Sequence, residues 1–324
     1  MELIDGRIVQ CLVQDGRAPF RRIADVLGVS EQTVARRYRA LFARGVLRVR
    51  VASGAHTAGQ QRWFVRVQCR PDAADALADA IAARDDVAWV STTSGGSEIV
   101  CVTFTDREPS AGSVLARLPR TSQVLSFTAC AVMHMHTTSD TKWLAFVDPL
   151  PEAELALLRG GKPTGLQSSA SIGSADAALL AELGRDGRLG VVALAKATGW
   201  PQSRVSNRLD ELLSSGALHV AIDLAPAEFG FHTTAYLWLT VTPGELDATG
   251  NALSQLPETT FTAAVTGAAN LLVTVTCRDI EGLYTFVTTK VGVLPAVRQV
   301  EVVPVVRRLK QSGTRVHNNR LVLD

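Results

Sequence analysis

Residues 15–49 read DGRAPFRRIADVLGVSEQTVARRYRALFARGVLRV, and residues 186–220 read DGRLGVVALAKATGWPQSRVSNRLDELLSSGALHV. Laid one on the other at a shift of 171, without a gap, they agree where a fold is sensitive. Asp15-Gly16-Arg17 falls on Asp186-Gly187-Arg188, Gly28 on Gly199, Val34 on Val205, Arg37 on Arg208, Leu41 on Leu212 and Gly45 on Gly216. Apolar spacing, turn glycines and an arginine recur together over 35 positions, so the chain reads as a tandem duplication.

The first copy has the grammar of three helices. Ile4, Ile8 and Leu12 recur at helical spacing and stop at the Asp15-Gly16 turn. A second helix from about Pro19 buries Ile23, Ala24 and Leu27. Gly28 allows a left-handed corner, Val29 plugs it, and Ser30 caps a third helix that runs to about Arg44 and ends at Gly45. Three helices with a tight glycine turn between the last two describe a helix-turn-helix. On a wheel, Val34, Tyr38 and Leu41 face the core while Gln32, Arg36, Arg39 and Ala43 face outward, with Thr33 on a flank. Arginine can grip guanine O6 and N7, and glutamine can read adenine, so this face suits the major groove of double-stranded DNA. Arg21, Arg22, Arg44, Arg48 and Arg50 are expected at phosphates. Residues 1–50 hold ten Arg against five acids, a local +5 in a chain whose total is +2.

The second copy departs on the outward face: Gln32 becomes Ser203, Arg36 becomes Asn207 and Arg39 becomes Asp210. A carboxylate there is repelled by the phosphate backbone, so the second reader is expected to be weaker or vestigial. Arg37 and Arg208 sit off the outward face in both copies and are read as structural.

Two β-rich segments follow the two bundles. Residues 63–69 alternate as a strand, 72–84 as a helix, and 87–94 and 98–105 as strands around Gly95-Gly96-Ser97. A helix near 110–118 and a strand over 123–136 complete β-α-β-β-α-β. Residues 235–242, 245–256, 259–266, 270–277, 280–290 and 297–306 repeat the pattern, with Pro304 expected at an edge or bulge. This is the ferredoxin-like pattern written twice, an α+β fold. The expected divisions are a helix-turn-helix at 1–52, a ferredoxin-like domain at 60–138, and a linker with a short helix at 139–173. A second helix-turn-helix at 174–224, a second ferredoxin-like domain at 230–312 and a polar tail at 313–324 complete the chain.

Asp15-Gly16-Arg17, Ile23-Ala24-Asp25-Val26-Leu27-Gly28-Val29-Ser30 and the run from Val34 to Gly45 resemble the Lrp/AsnC, or feast/famine, transcriptional regulators. The resemblance implies winged or three-helix helix-turn-helix domains joined to ligand-sensing (RAM) domains, here as two tandem halves. It implies a sequence-specific regulator that associates with a second copy through its sheets, as a dimer, and senses an amino acid or related metabolite. The family's Gly-x-x-Asp effector motif matches Gly95-Gly96-Ser97-Glu98 and Gly267-Ala268-Ala269-Asn270. Neither has the Asp. Glu98 keeps the charge on a longer arm and Asn270 loses it, so Gly95, Gly96, Ser97, Glu98, Gly267 and Asn270 are the candidate effector residues. Plain turn chemistry explains the glycines equally well.

Other classes have thin support. There is no phosphate-binding loop, nucleophile elbow or His-Glu-x-x-His, so no catalytic residue and no cofactor is expected. His134 and His136 share a strand face, but without a third ligand in sequence they read as solvated or interface histidines, and no metal site is assigned. Met133 and Met135 are expected on the opposite face, in the core or between sheets. Sirohaem decarboxylases resemble this family in domain order and are the enzymatic alternative, and a metabolite-sensing interaction protein without DNA binding is another. Five cysteines with no Cys-x-x-Cys point to a reducing cytoplasm. No apolar run reaches the ~18 residues of a membrane span, and Met1 to Arg7 does not read as a signal peptide.

Overall fold

The computed structural model describes residues 2–53, 60–106, 110–137, 150–159 and 170–322. Helices α1 (Leu3–Gln14), α2 (Phe20–Leu27) and α3 (Glu31–Ala43) lead into strands β1 (Leu47–Ser53) and β2 (Gln61–Cys69). Then come α4 (Ala74–Ala82), β3 (Val87–Thr93), β4 (Glu98–Thr105), α5 (Val114–Arg117), β5 (Val124–Met135) and α6 (Glu152–Arg159). A second set of three helices, α7 (Ala177–Arg185), α8 (Val191–Thr198) and α9 (Gln202–Ser214), leads to β6 (Leu218–Leu224). The rest is β7 (Thr233–Val241), α10 (Leu246–Ser254), β8 (Thr259–Val265), β9 (Leu271–Cys277), α11 (Ile280–Phe286), β10 (Val297–Gln311), β11 (Thr314–His317) and β12 (Arg320–Val322). The chain sorts into two compact units, one of Met1–Ala58 with Phe146–Leu224 and one of Gly59–Ala145 with Ala225–Asp324.

In the first unit, α1–α3 close around Ile8, Leu12, Ile23, Val34 and Leu41, none more than 2% exposed. Gly28 takes φ +64° at the end of α2, and Ser30 Oγ accepts the Thr33 amide at 3.1 Å to start α3. Arg37 reaches back from α3 to Glu2 and to Asp5, 3.2 Å away, while Arg208 makes the same reach from α9 to Asp176 at 2.8 Å. Asp5 and Asp176 are buried, so each arginine ties the start of its bundle's first helix to its third, as its place off the outward face indicated.

Neither bundle is complete alone. β1 pairs antiparallel with β6 in a two-stranded ribbon, Leu47 opposite Leu224, Arg50 opposite Ala221 and Ser53 opposite Leu218. The Asp-Gly-Arg turns explain why they recur. Gly187 donates its amide to the Val49 carbonyl at 2.7 Å, and a Cβ there would lie 2.7–2.9 Å from the backbone of Arg50. A Cβ on Gly16 would lie 2.5 Å from Val220. From these turns Arg17 crosses to the carbonyls of Gly187 and Leu189, and Arg188 crosses back to those of Gly16 (2.5 Å) and Ala18 (2.7 Å). The Arg188 guanidinium also stacks 4.5 Å from the Phe20 ring. Within the expected linker, α6 packs on α1 and α2, with Leu158 fully buried and the Leu150 amide donating to Gln10 Oε1 at 3.1 Å. The rest of that span, 139–149 and 160–169, lies outside the described residues, as do Leu323 and Asp324 of the tail.

In the second unit, β2-α4-β3-β4-α5-β5 and β7-α10-β8-β9-α11-β10 each give a four-stranded antiparallel sheet. The sheets join edge to edge, β5 to β8 and β10 to β3, so hydrogen bonding runs in a closed circuit. Their inner faces bury Phe64, Val102, Tyr236, Trp238, Leu272 and Val303 against each other, while α4 and the α10–α11 pair cover outer cores. Those inner faces and the paired edges cover one another within one chain. β10 runs along β7 to Pro304 and along β3 from Val305. Pro304, which has no N–H to donate, therefore sits where the strand changes partner. Within the polar tail, β11 and β12 form a hairpin on the end of β10. A register shift between Val132 and His134 swaps the faces of β5. Met135 then joins the inner core, whereas Met133 is 57% exposed, contrary to the expectation that the two share a face.

Arg66 ties the two sheets together. Its Nε donates to Glu98 at 2.6 Å and its two terminal nitrogens grip Glu301 at 2.7 Å each, with the guanidinium 5.3 Å from the Trp238 ring. These bonds hold the Glu301 carboxyl below its ordinary range.

Three substitutions test these contacts and their absence. Gly187→Ala should cost about 1–3 kcal/mol by overpacking, read as a lower urea midpoint. Gly184→Ala, inside α7 with no atom within 4 Å of its Cβ position, should be neutral or stabilise by up to about 1 kcal/mol. Glu301→Gln should lower stability at neutral pH. Because the folded carboxyl is depressed, the wild-type advantage is complete above the ordinary Glu value of 4.5 and shrinks as pH falls through the lower folded value. Urea midpoints of the two proteins should therefore converge on acidification from about pH 5.

Candidate nucleic-acid interface

The outward face of α3 is laid out as the sequence wheel requires. Gln32, Arg36 and Arg39 are exposed, and Val34, Ala35, Tyr38 and Leu41 are buried beneath them. Thr33 is half-buried, its hydroxyl 2.9 Å from Ser30 Oγ, so it serves the helix start first. Arg21 and Arg44 are exposed at the margins. Arg22 is half-buried, 3.9 Å from Asp15 and 3.5 Å from the Leu158 carbonyl, and is thus partly engaged by its own unit.

Arg48 and Arg50 are corrected. Arg48 is 4% exposed, donates to the carbonyls of Phe42 and Leu47, and lies 4.0 Å over the Phe42 ring. Burial pulls its guanidinium pKa down. Arg50 forms a 2.8 Å ion pair with Asp223 across the β1–β6 ribbon. Both lie in β1, and the pairing of β1 with a strand 171 residues away left no local signal that would have exempted them from the basic face.

On α9 the corresponding face exposes Ser203, Asn207 and Asp210. Arg204 there stacks 4.2 Å over Trp200, and Glu211 receives Arg208 at 2.8 Å. The surface is mixed in charge where the outward charged residues of α3, Arg36 and Arg39, are both basic.

The candidate effector positions are engaged in the fold. Gly95 and Gly96 have φ +67° and +95° with open space at their Cβ positions, so the turn alone accounts for them. Ser97 Oγ donates to the Ser94 carbonyl at 2.9 Å. Glu98 is fully buried: besides Arg66 it accepts from Gln68 at 3.1 Å, Thr93 at 2.8 Å and Ser94 at 3.1 Å. With four donors on two oxygens it has no capacity left for an ammonium ligand, which corrects its assigned role. Gly267, at φ +118°, backs onto Cys130, and Asn270 bridges the Val241 amide (2.8 Å) and carbonyl (2.7 Å), stitching β9 to β7.

Between the inner sheet faces lies a cavity of about 60 Å³ lined by Arg62, Phe64, Trp89, Tyr236, Phe261 and Arg308. All five cysteines are free and buried, and none of the described helices is long and apolar enough to cross a membrane.

Residues 1–41 match the AsnC-type helix-turn-helix domain, and residues 234–315 match the Lrp/AsnC ligand binding domain. An uncharacterized HTH-type transcriptional regulator of Pyrococcus abyssi is 28% identical over 127 residues, 39% of this chain and 80% of the relative. A like-named protein of Pyrococcus horikoshii is 25% identical over the same length, again 80% of its own. Among solved structures, the siroheme decarboxylase NirDL aligns with a TM-score of 0.65 at 11% identity, covering 95% of this chain and 92% of that one, a likeness of fold. AsnC of E. coli aligns with a TM-score of 0.41 at 21% identity over 43% of this chain and 94% of its own. Residues 1–41 are thus similar to the AsnC-type helix-turn-helix and residues 234–315 to the Lrp/AsnC ligand-binding domain, which together account for 123 of the 324 residues.

Proposed function

We propose that this chain is a sequence-specific DNA-binding regulator that enters the major groove with α3. The observation that carries the reading is the exposed Gln32, Arg36 and Arg39 on one face of that helix, within a segment of net +5. We read the chain as a tandem-duplicated form in which one polypeptide supplies both members of the family's usual pair of reading heads. The α9 head is the subordinate one, since Asp210 faces where phosphate would lie. On this reading the operator is asymmetric, with one strongly specified half-site. The protein acts in the cytoplasm, further copies join through surfaces other than the inner sheet faces, and a small metabolite modulates binding. Because Glu98 and Asn270 are engaged, recognition of such an effector at the hairpins would rest on backbone N–H groups, which favour a carboxylate.

The full-length likeness to NirDL favours a second reading, a tetrapyrrole decarboxylase. Fold likeness alone does not carry chemistry. A Soret band appearing when a tetrapyrrole is added would support that reading against ours.

The discriminating measurement is binding to DNA from the protein's own upstream region across a salt series. Affinity should fall steeply with salt. Arg36→Ala should cost about 1–3 kcal/mol and loosen preference at one base position, whereas Asn207→Ala should change little. Equal losses from the two would refute the ranking of the heads.

A further inference from the structure

The structure assigns a binding site for a divalent transition-metal ion of the zinc type to His134, His136 and Asp247, at the seam where β5 meets α10. The sequence supplies two of these groups on one strand. The fold brings the third from 111 residues away. Their nitrogen and oxygen atoms all lie within 4.8 Å of one another.

Several features build this arrangement. The register shift after Val132 turns His134 and His136 out of the inner core and toward α10. The His136 amide donates to the Thr262 carbonyl at 2.9 Å, which fixes the strand end against β8. The His136 ring is 1% exposed and seats under α10 at Gly250, where a Cβ would fall 2.3 Å from Nε2. Glycine in mid-helix is less favourable than alanine, and here it makes space for that ring. Nε2 is buried without a hydrogen-bond partner, so packing aims the ring. Nδ1 then faces Asn251 Oδ1 at 3.3 Å and Asp247 Oδ1 at 3.8 Å. Asp247 and Asn251 stand four apart on one helix face, and Asn251 donates to Asp247 at 3.1 Å, holding the carboxylate toward the imidazoles. The His134 ring meets the His136 ring edge-on at 4.8 Å.

Two imidazoles and one carboxylate form a donor set suited to zinc and its neighbours and poorly suited to magnesium or calcium. Donors in a tetrahedral zinc site lie about 3.3 Å apart, so this set must close by roughly 1.5 Å. His134 and Asp247 are exposed, while the buried His136 provides the fixed point. Three protein ligands leave the fourth position to water.

The opposite seam is a natural comparison. There Arg307 occupies the register position on β10 that His134 occupies on β5, Arg307 against Thr92 and His134 against Ala264. Arg307 forms a 3.0 Å ion pair with Asp75 of α4. One seam thus joins strand to helix by a fixed cation, and the other presents metal ligands in the same place.

The test uses the untagged full chain, stripped with a chelator, re-equilibrated, and titrated with Zn²⁺ by calorimetry and with Co²⁺ by visible absorption. One ion per chain should bind, with cobalt d–d bands and no sulfur-to-metal charge transfer. His134→Ala and Asp247→Ala alter exposed side chains, so both should fold. Each should weaken Zn²⁺ binding at least tenfold, while His219→Ala, far along the chain in β6, should leave it unchanged. Absence of saturable one-to-one binding, affinity untouched by both variants, or a thiolate band would each overturn the assignment.

Discussion

A strand cannot bury its N–H and C=O groups without a partner, and in this protein the first half of the chain leaves strand edges that only the second half satisfies. β1 ends a three-helix bundle with no neighbour in its own bundle and finds one in β6. A two-stranded ribbon is marginal in isolation, so the contacts flanking it matter: the exchanged arginines Arg17 and Arg188, and two glycines that let the turns approach the opposing strand. Burial lowers the pKa of both guanidinium groups, yet carbonyl partners and a neighbouring ring compensate for what water no longer supplies. In the other unit, β5 closes onto β8 and β10 onto β3, so neither ferredoxin-like sheet retains a free long edge along those strands.

The arginines of the first fifty residues divide along the same line. Arg17, Arg37, Arg48 and Arg50 are tied to carbonyls or carboxylates of the protein. Arg21, Arg36, Arg39 and Arg44 are exposed. The +5 of this segment therefore overstates the charge available to a duplex, and position on the helix wheel is a better guide than the count.

What the sequence made legible was local. The 3.6-residue spacing of Ile8, Leu12, Val34 and Leu41 placed the helices, Gly28 and Ser30 placed the corner, and period-2 runs placed most strands. What escaped it was pairing at long range. Nothing near Arg48 announces that Val49 will accept the Gly187 amide, and nothing in 313–322 beyond Ser312-Gly313 and Asn318-Asn319 hints at a hairpin, although all four take positive φ. The face of Met135 was misread because an extra residue at a bulge inverts strict alternation downstream. At Glu98 the residue type was right for ligand binding, but four donors converging from two strands and a turn had already claimed it.

A homodimer must repeat every interfacial residue, because both partners are the same chain. Here the corresponding positions are encoded separately, and they differ where symmetry would have forbidden it. Arg66 stacks on Trp238, Glu98 answers to Asn270, Arg36 to Asn207, and His134 to Arg307. An arginine opposite an arginine at Arg66's position would place two cations together between the sheets, and the indole removes that repulsion while offering a ring face. Under the proposed reading the same freedom lets α9 carry Asp210 where α3 carries Arg39, at no cost to the ribbon that joins them, since none of the ribbon's hydrogen bonds involves those outward side chains.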